Sequence, residues 1–170
     1  GPTYISATNA AYPGASMPVI VMDLGYDDAS YAYEGNSFTN GGNSGLGFQP
    51  WVIEQNNDGS TNFAGAFLGS SMDGGPDVNV DGRSFGLYAN GGNLPYINAI
   101  RPFNSILAIG QAVSVNLGVN YRNGSKGVTF QNGVNGVFEV LVYNNSYAYK
   151  IGTNNPVDLG WEYAADAKIG

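Results

Sequence analysis

Asp77-Val78-Asn79-Val80-Asp81-Gly82 is the run whose residue types and spacing come nearest to a defined chemistry. Oxygen-bearing side chains fall at alternate positions and a glycine follows in sixth place. This is the opening half of a calcium loop, in which alternate oxygens wrap a hard cation and Gly permits the sharp turn. The twelfth position is Tyr88 rather than a bidentate Glu, so Asp77, Asn79 and Asp81 need further ligands. Asp23, Asp27, Asp28 or Asp73 could supply them from elsewhere in the fold. Calcium held this way would be structural, and no other cofactor is expected. The same six residues also read as a polar β-turn with Val78 and Val80 pointing inward.

Catalytic patterns are scarce. Glycoside hydrolysis needs two carboxyls flanking the scissile bond. The chain carries only Glu34, Glu54, Glu139 and Glu162 besides its Asp residues, and Glu139 stands alone among Val137, Phe138, Val140 and Leu141. With no His there is no imidazole base and no Ser-His-Asp system; with no Cys there is no thiolate, disulfide or Cys-bound metal. The chain is therefore expected not to be an enzyme.

Aromatic side chains offer a different chemistry, because an apolar face with a polar edge suits sugar rings. The candidates are Trp51, Trp161 and the pair Tyr147 and Tyr149, which share a strand face beside Asn144-Asn145-Ser146. Tyr88, Tyr96, Tyr121 and Tyr143 complete the pool. Tyrosine is also a favoured strand residue that stabilises sheets without any ligand. Arg101, in Arg101-Pro102-Phe103, could recognise a carboxylate ligand, but pairing an internal Asp is the simpler use of a scarce guanidinium.

Six basic residues against 13 acidic ones give a net charge of -7, which offers no counterion-releasing surface for nucleic acid. No stretch approaches the roughly 20 apolar residues of a membrane-spanning helix. No amino-terminal signal pattern is visible, so the expectation is a mature form or an excised piece of a secreted protein.

The elements that must position these residues are strands. The chain has 170 residues, 43% hydrophobic and only 11% charged, with 26 Gly and 12 Tyr. This suits short strands joined by tight turns and disfavours helical bundles. Asp58-Gly59, Asn90-Gly91-Gly92-Asn93, Asn132-Gly133 and Asn135-Gly136 are among the turn signals that supply positive φ angles. Between them lie strand candidates at Met17–Leu24, Gly47–Ile53, Phe63–Gly69, Ser84–Ala89, Val128–Gln131, Val137–Tyr143 and Tyr147–Ile151. Val113, Val115, Leu117, Val119 and Tyr121 alternate with polar or small residues and predict one half-buried strand. Only Glu162–Lys168 has a helical flavour, and it is short and uncapped. The expected fold is all-β over a single domain, residues 1 to 170: a two-sheet antiparallel jelly-roll sandwich of roughly 10 to 12 strands.

Five short motifs occur in order: Gly47-Phe48-Gln49-Pro50-Trp51, Ala64-Gly65-Ala66-Phe67-Leu68-Gly69-Ser70-Ser71, Ser84-Phe85-Gly86-Leu87-Tyr88-Ala89-Asn90, Arg101-Pro102-Phe103 and Leu107 to Gln111. Together, over residues from about 36 to 145, they resemble a module of large secreted and surface proteins of environmental bacteria. The resemblance implies a concanavalin-A-like β-sandwich at the cell surface or outside the cell, and it brings no catalytic set with it. It also implies at least one strand beyond Gly170 and a shorter lead-in than residues 3 to 24 provide.

Two functions follow as expectations. The first is a non-catalytic structural subunit of an extracellular filament, sheath or surface layer, associating with its own copies or with neighbouring domains. The alternative is a carbohydrate-binding module of a larger secreted enzyme or adhesin. For the first, a sandwich that ends early leaves an open edge after Tyr147 to Gly152 or Gly160 to Ile169. Thr3–Thr8, with Tyr4, Ile5 and Ala7, suits an extended donor strand, and Pro13-Gly14 suits a hinge. The same segment could equally form an edge strand of its own sandwich.

Overall fold

The computed structural model describes residues 25–30, 33, 38–72, 77–121, 124–143, 146–162 and 167–169. The strand expected over Met17–Leu24, the donor residues Tyr4, Ile5 and Ala7, and the ligand candidates Asp23 and Asp73 lie outside the described residues. The described chain is all-β and antiparallel, with no α-helix. It divides into two compact units, residues 1–69 with 80–114 and residues 70–79 with 115–170.

In the first unit, β1 (Val52–Gln55) pairs with β4 (Ile97–Ile100), and β2 (Asn62–Gly69) pairs with β3 (Ser84–Gly91) over eight rungs. Single bridges join Tyr26 to Leu46 and Phe48 to Phe103. Strand alternation decides what β2–β3 buries. Asn62, Ala64, Ala66 and Leu68 share one face with Phe85 and Leu87, and Ala64 is buried there. Phe85 meets the ring of Tyr33 at 5.1 Å, Phe38 at 4.6 Å and Trp51 at 5.5 Å. Asn62 is the buried polar residue of this face, and both ends of its amide are used: Oδ1 accepts from Asn93 N and Nδ2 donates to Asp58 Oδ2. Val80 and Arg83 exchange backbone hydrogen bonds around Asp81-Gly82, whose φ angles of 51° and 77° are those of a type I′ turn.

In the second unit, β6 (Lys126–Asn132), β7 (Asn135–Tyr143), β8 (Ser146–Ile151) and β9 (Val157–Glu162) form a four-stranded meander. A separate three-rung pair joins β5 (Leu117–Val119) to β10 (Ala167–Ile169). Gly133 takes φ 61° in the two-residue loop between β6 and β7, as a II′ hairpin requires at its first central position. Phe138, Val140 and Val142 do share one face of β7. Their rungs place them beside Ile151, Tyr149 and Tyr147 of β8. Val142, Tyr147 and Val119 close into the core of this unit, with Leu117 packed against them.

The structure departs from the sequence in these places. The strand predicted over Val113–Tyr121 shrinks to Leu117–Val119, and Val113 and Val115 are exposed. Alternation marks a face that could be buried; among the described residues Leu117 and Val119 are the members of this run that join a core. The open edge placed after Tyr147–Gly152 is not there, because β8 is paired on both sides, with β7 and β9. Of the segment Glu162–Lys168, Glu162 ends β9 and Ala167 and Lys168 open β10, while residues 163–166 lie outside the described residues.

Candidate functional site

The apolar face of the second unit grades from covered to uncovered along its strands. At one end Val142 and Tyr147 are buried; at the other Phe138, Ile151 and Val157 are 37%, 55% and 47% exposed. A row of rings crosses the strands between them, Phe130 to Phe138 at 6.3 Å and Phe138 to Tyr149 at 6.4 Å, both stacked. On the opposite face Lys150 Nζ donates to Glu139 Oε1 at 2.9 Å across one rung, so Glu139 is an ion-pair partner. The outer strands of this sheet are β6 and β9. β9 is bulged: Ser146 pairs with Glu162 and Ala148 with Asp158, leaving Leu159 to Trp161 out of the ladder. Asp158 holds the bulge, accepting from Gly160 N and Ser146 Oγ, and these bonds keep its carboxyl below the usual carboxylate range.

Within the second unit, Tyr147, Tyr149 and Trp161 have different surroundings. Tyr147 and Tyr149 share a face, but it is the covered one. Tyr147 is only 8% exposed against Val119 and Val142, so its ring is closed to any ligand. Tyr149 is half-buried and stacked on Phe138. Trp161 is exposed on the bulge of β9.

Trp51 belongs to a polar centre inside the first unit. Its Nε1 donates to Tyr33 Oη at 2.9 Å, and Tyr33 Oη donates to Asp27 Oδ2 at 2.8 Å. Arg101 Nε lies 3.2 Å from the same Asp27 oxygen, both side chains 8% exposed. The guanidinium also donates to Gly42 O, Ser44 O and Asn43 Oδ1, and rests on the rings of Phe48 and Trp51 at 5.5 and 5.1 Å. Arg101 thus pairs an internal Asp, the simpler of the two uses anticipated for it. Gly45 makes room for the pair, since a Cβ there would meet Tyr26 O at 2.5 Å and Asp27 Oδ1 at 2.7 Å.

The residues of the calcium pattern are engaged in local hydrogen bonds. Asn79 Oδ1 accepts from the backbone N and the Oγ of Ser71, and Asp77 Oδ1 accepts from Asn79 N. Asp81 occupies the I′ turn. Among the described residues, no group of three or more His, Cys, Asp or Glu side chains gathers as a metal site.

The solvent face of β2–β3 carries a pattern that sequence reasoning passed over. Phe63, Gly65, Phe67 and Gly69 alternate along β2, opposite Asn90, Tyr88, Gly86 and Ser84 of β3. Each central ring lies over the glycine across from it. A Cβ on Gly86 would sit on the Phe67 ring, with Cε1 and Cε2 at 2.5 and 2.6 Å. A Cβ on Gly65 would meet Tyr88 Oη, Cε1 and Cζ at 2.7 to 2.9 Å. Near-equal distances to several ring atoms require the flat of the ring, not its edge, to cover the backbone. Phe63, Phe67 and Tyr88 are 44% to 48% exposed. Aromatic and glycine alternating at the same parity on paired strands is the signal that would have found this face. Tyr88 belongs to the stacking candidates by sequence, whereas Phe63 and Phe67 belong to the strand candidate Phe63–Gly69.

Protonation ties these centres to stability. Burial, then the hydrogen bond to Asp27, pushes the Tyr33 phenol up to about 12. An unfolded tyrosine titrates near ~10. Because the folded value is the higher one, Tyr33 contributes stability in full below about pH 10 and loses it as pH rises towards 12. Denaturant midpoints should therefore fall across that window, and Tyr33→Phe should flatten the fall. A wild-type midpoint that is level to pH 12 would contradict the buried phenol. Asp58 has the opposite sign. Donors from Asn62, Thr61 and Ser60 hold its carboxyl below the usual range, so its contribution is present above about pH 4 and fades in acid.

No helix among the described residues is long and apolar enough to cross a membrane. Comparison with protein-family models, curated proteins and solved structures finds no match to the chain.

Proposed function

We propose that the protein is a non-catalytic structural subunit that works outside the cell and assembles with its own copies into a filament, sheath or surface layer. In this reading its strands build a two-sheet jelly-roll sandwich of the concanavalin-A-like kind. The observation that carries it is the uncovered end of the β7–β9 face, where Phe138, Ile151 and Val157 continue a buried core row into solvent. An apolar sheet face left open in this way marks an interaction surface. The low charge and the absence of His and Cys fit material built for persistence rather than turnover.

Strand donation fits the same assembly. The outer strand β9 reaches Glu162 and so enters the region Gly160–Ile169 singled out for an open edge, whose last residues, Ala167–Ile169, pair with β5. Thr3–Thr8 of a neighbouring copy would gain main-chain hydrogen bonds along such an edge. Contacts of that kind are heterologous and propagate into filaments unless the rotation closes a ring.

Sedimentation velocity across a concentration series, with electron microscopy of the same samples, tests the reading. The wild type should associate as concentration rises and show fibres or sheets. Ile151→Lys with Val157→Lys should sediment as a monomer with an unchanged circular dichroism spectrum. Lysine lowers the net negative charge, so lost association would not be simple repulsion. A wild type that stays monomeric throughout overturns the proposal. Deleting residues 1 to 12 isolates strand donation: folded monomers support it, and undiminished assembly removes it.

A further inference from the structure

Rings held flat against a sheet present their π faces outward, and Phe67 and Tyr88 do this on the solvent side of β2–β3. Each lies over the glycine of the opposite strand, so its flat side is already turned outward before any ligand arrives. We propose that this face binds neutral pyranose oligosaccharides, stacked on Phe67 and Tyr88. This goes beyond the self-assembly reading and stands independently of it.

The chemistry of the face selects that occupant. Its positions on both strands, from Phe63 to Gly69 and from Ser84 to Asn90, bear no charged side chain. Asp58, in the loop before β2, has its carboxylate engaged by donors from Ser60, Thr61 and Asn62. A net charge of -7 further disfavours acidic polysaccharides, nucleic acids and anionic lipid. A neutral sugar needs what is present, namely flat aromatic area for its C–H face and polar groups for its hydroxyls. The exposed amide of Asn90 and the hydroxyl of Tyr88 supply the second.

The geometry narrows the class. The Phe67 and Tyr88 centroids lie 6.2 Å apart with the rings inclined at 48°. That is a shallow V and not a plane. It suits neighbouring sugars of a curved, soluble chain better than the flat surface of a crystalline polymer.

Titration of the ¹⁵N-labelled full chain with laminarihexaose and maltohexaose, followed by amide shifts, tests this. Cellohexaose and an alginate oligomer serve as the flat and the charged comparison. Shifts should be confined to β2, β3 and the loops at their ends, with the curved glucans ahead of cellohexaose and alginate silent. Phe67→Leu and Tyr88→Leu keep the glycines covered but remove the flat ring, and each should weaken binding about tenfold with the circular dichroism spectrum unchanged. Should either leucine variant fail to fold, Tyr88→Phe keeps the ring and should retain most of the binding. No shifts at millimolar glucan, or leucine variants that bind like the wild type, overturn the proposal. So does a ligand-free oligomer that Phe67→Leu dissolves, which would make the face a contact between copies. A monomer that binds glucans ends the assembly reading and leaves this one intact.

Discussion

Replacing Arg101 with methionine should destabilise the first unit by about 3–5 kcal/mol, the cost of removing one partner from a buried ion pair. Asp27 would keep the hydroxyl of Tyr33 but lose its cation, leaving a buried carboxylate without a counter-charge. The carbonyls of Gly42 and Ser44 would lose their donor, and Phe48 and Trp51 would lose the cation above their rings. Methionine fills much of the volume, so the loss measured is that of charge and hydrogen bonds rather than of a cavity. Arg101→Lys should rescue only part, since an ammonium cannot address Asp27 and the 42–44 loop from one planar fork.

Two further measurements separate this from a packing effect. Burial already raises the Asp27 carboxyl, against the opposing pull of Tyr33 and Arg101. Without Arg101 the carboxyl should take up a proton more readily, so the loss in the variant should shrink as pH falls through the carboxylate range. Asp27→Asn in the Arg101→Met background should recover stability, because no unpaired charge then remains buried. A urea midpoint for Arg101→Met within about 1 kcal/mol of the wild type would mean that the pair is solvated.

Turn chemistry was legible in part: Gly59 and Gly133 take the positive φ angles expected of them, and Asp81-Gly82 takes the polar-turn alternative to a calcium loop, whereas Asn135-Gly136 opens β7 instead of turning. The alternation in β7 sorts Phe138, Val140 and Val142 onto one face. What alternation does not carry is which face another element covers. That is why Tyr147, a stacking candidate by sequence, is in the core, and why Val113 and Val115 are exposed despite their alternation. The first outcome depends on a partner distant in sequence, Val119 for Tyr147. The aromatic face of β2–β3 was half legible. Its residues were visible as strand formers, but the reciprocal cover of Gly86 by Phe67 and Gly65 by Tyr88 depends on a register no single strand reveals.

Gly127→Ala should destabilise the second unit by about 2–3 kcal/mol, among the larger costs for adding one methyl group. Gly127 sits in β6 opposite Leu141, where β7 passes so close that a Cβ would fall on the Val140 carbonyl oxygen. The Val140 carbonyl carbon and Leu141 Cα would follow at 3.0 and 3.1 Å. All three atoms are backbone, so no rotamer change relieves the clash and the strands themselves must part. The next rung is Lys126 with Val142, and Val142 is fully buried against Val119 and Tyr147, so separation reaches the core. Gly86→Ala is the informative comparison. Its Cβ would also intrude on an atom, but that atom belongs to the Phe67 ring, which can swing towards solvent. It should therefore cost less than Gly127→Ala. Gly92→Ala, with nothing within 4 Å and no positive φ, should stay within about 0.5 kcal/mol of the wild type. Hydrogen exchange should locate the Gly127→Ala damage, with β6 and β7 amides losing protection ahead of those in β8 and β9. Gly127→Ala proving no costlier than Gly86→Ala would contradict the close approach of β6 to β7 and, with it, the route by which the rungs bring Val142 into the core.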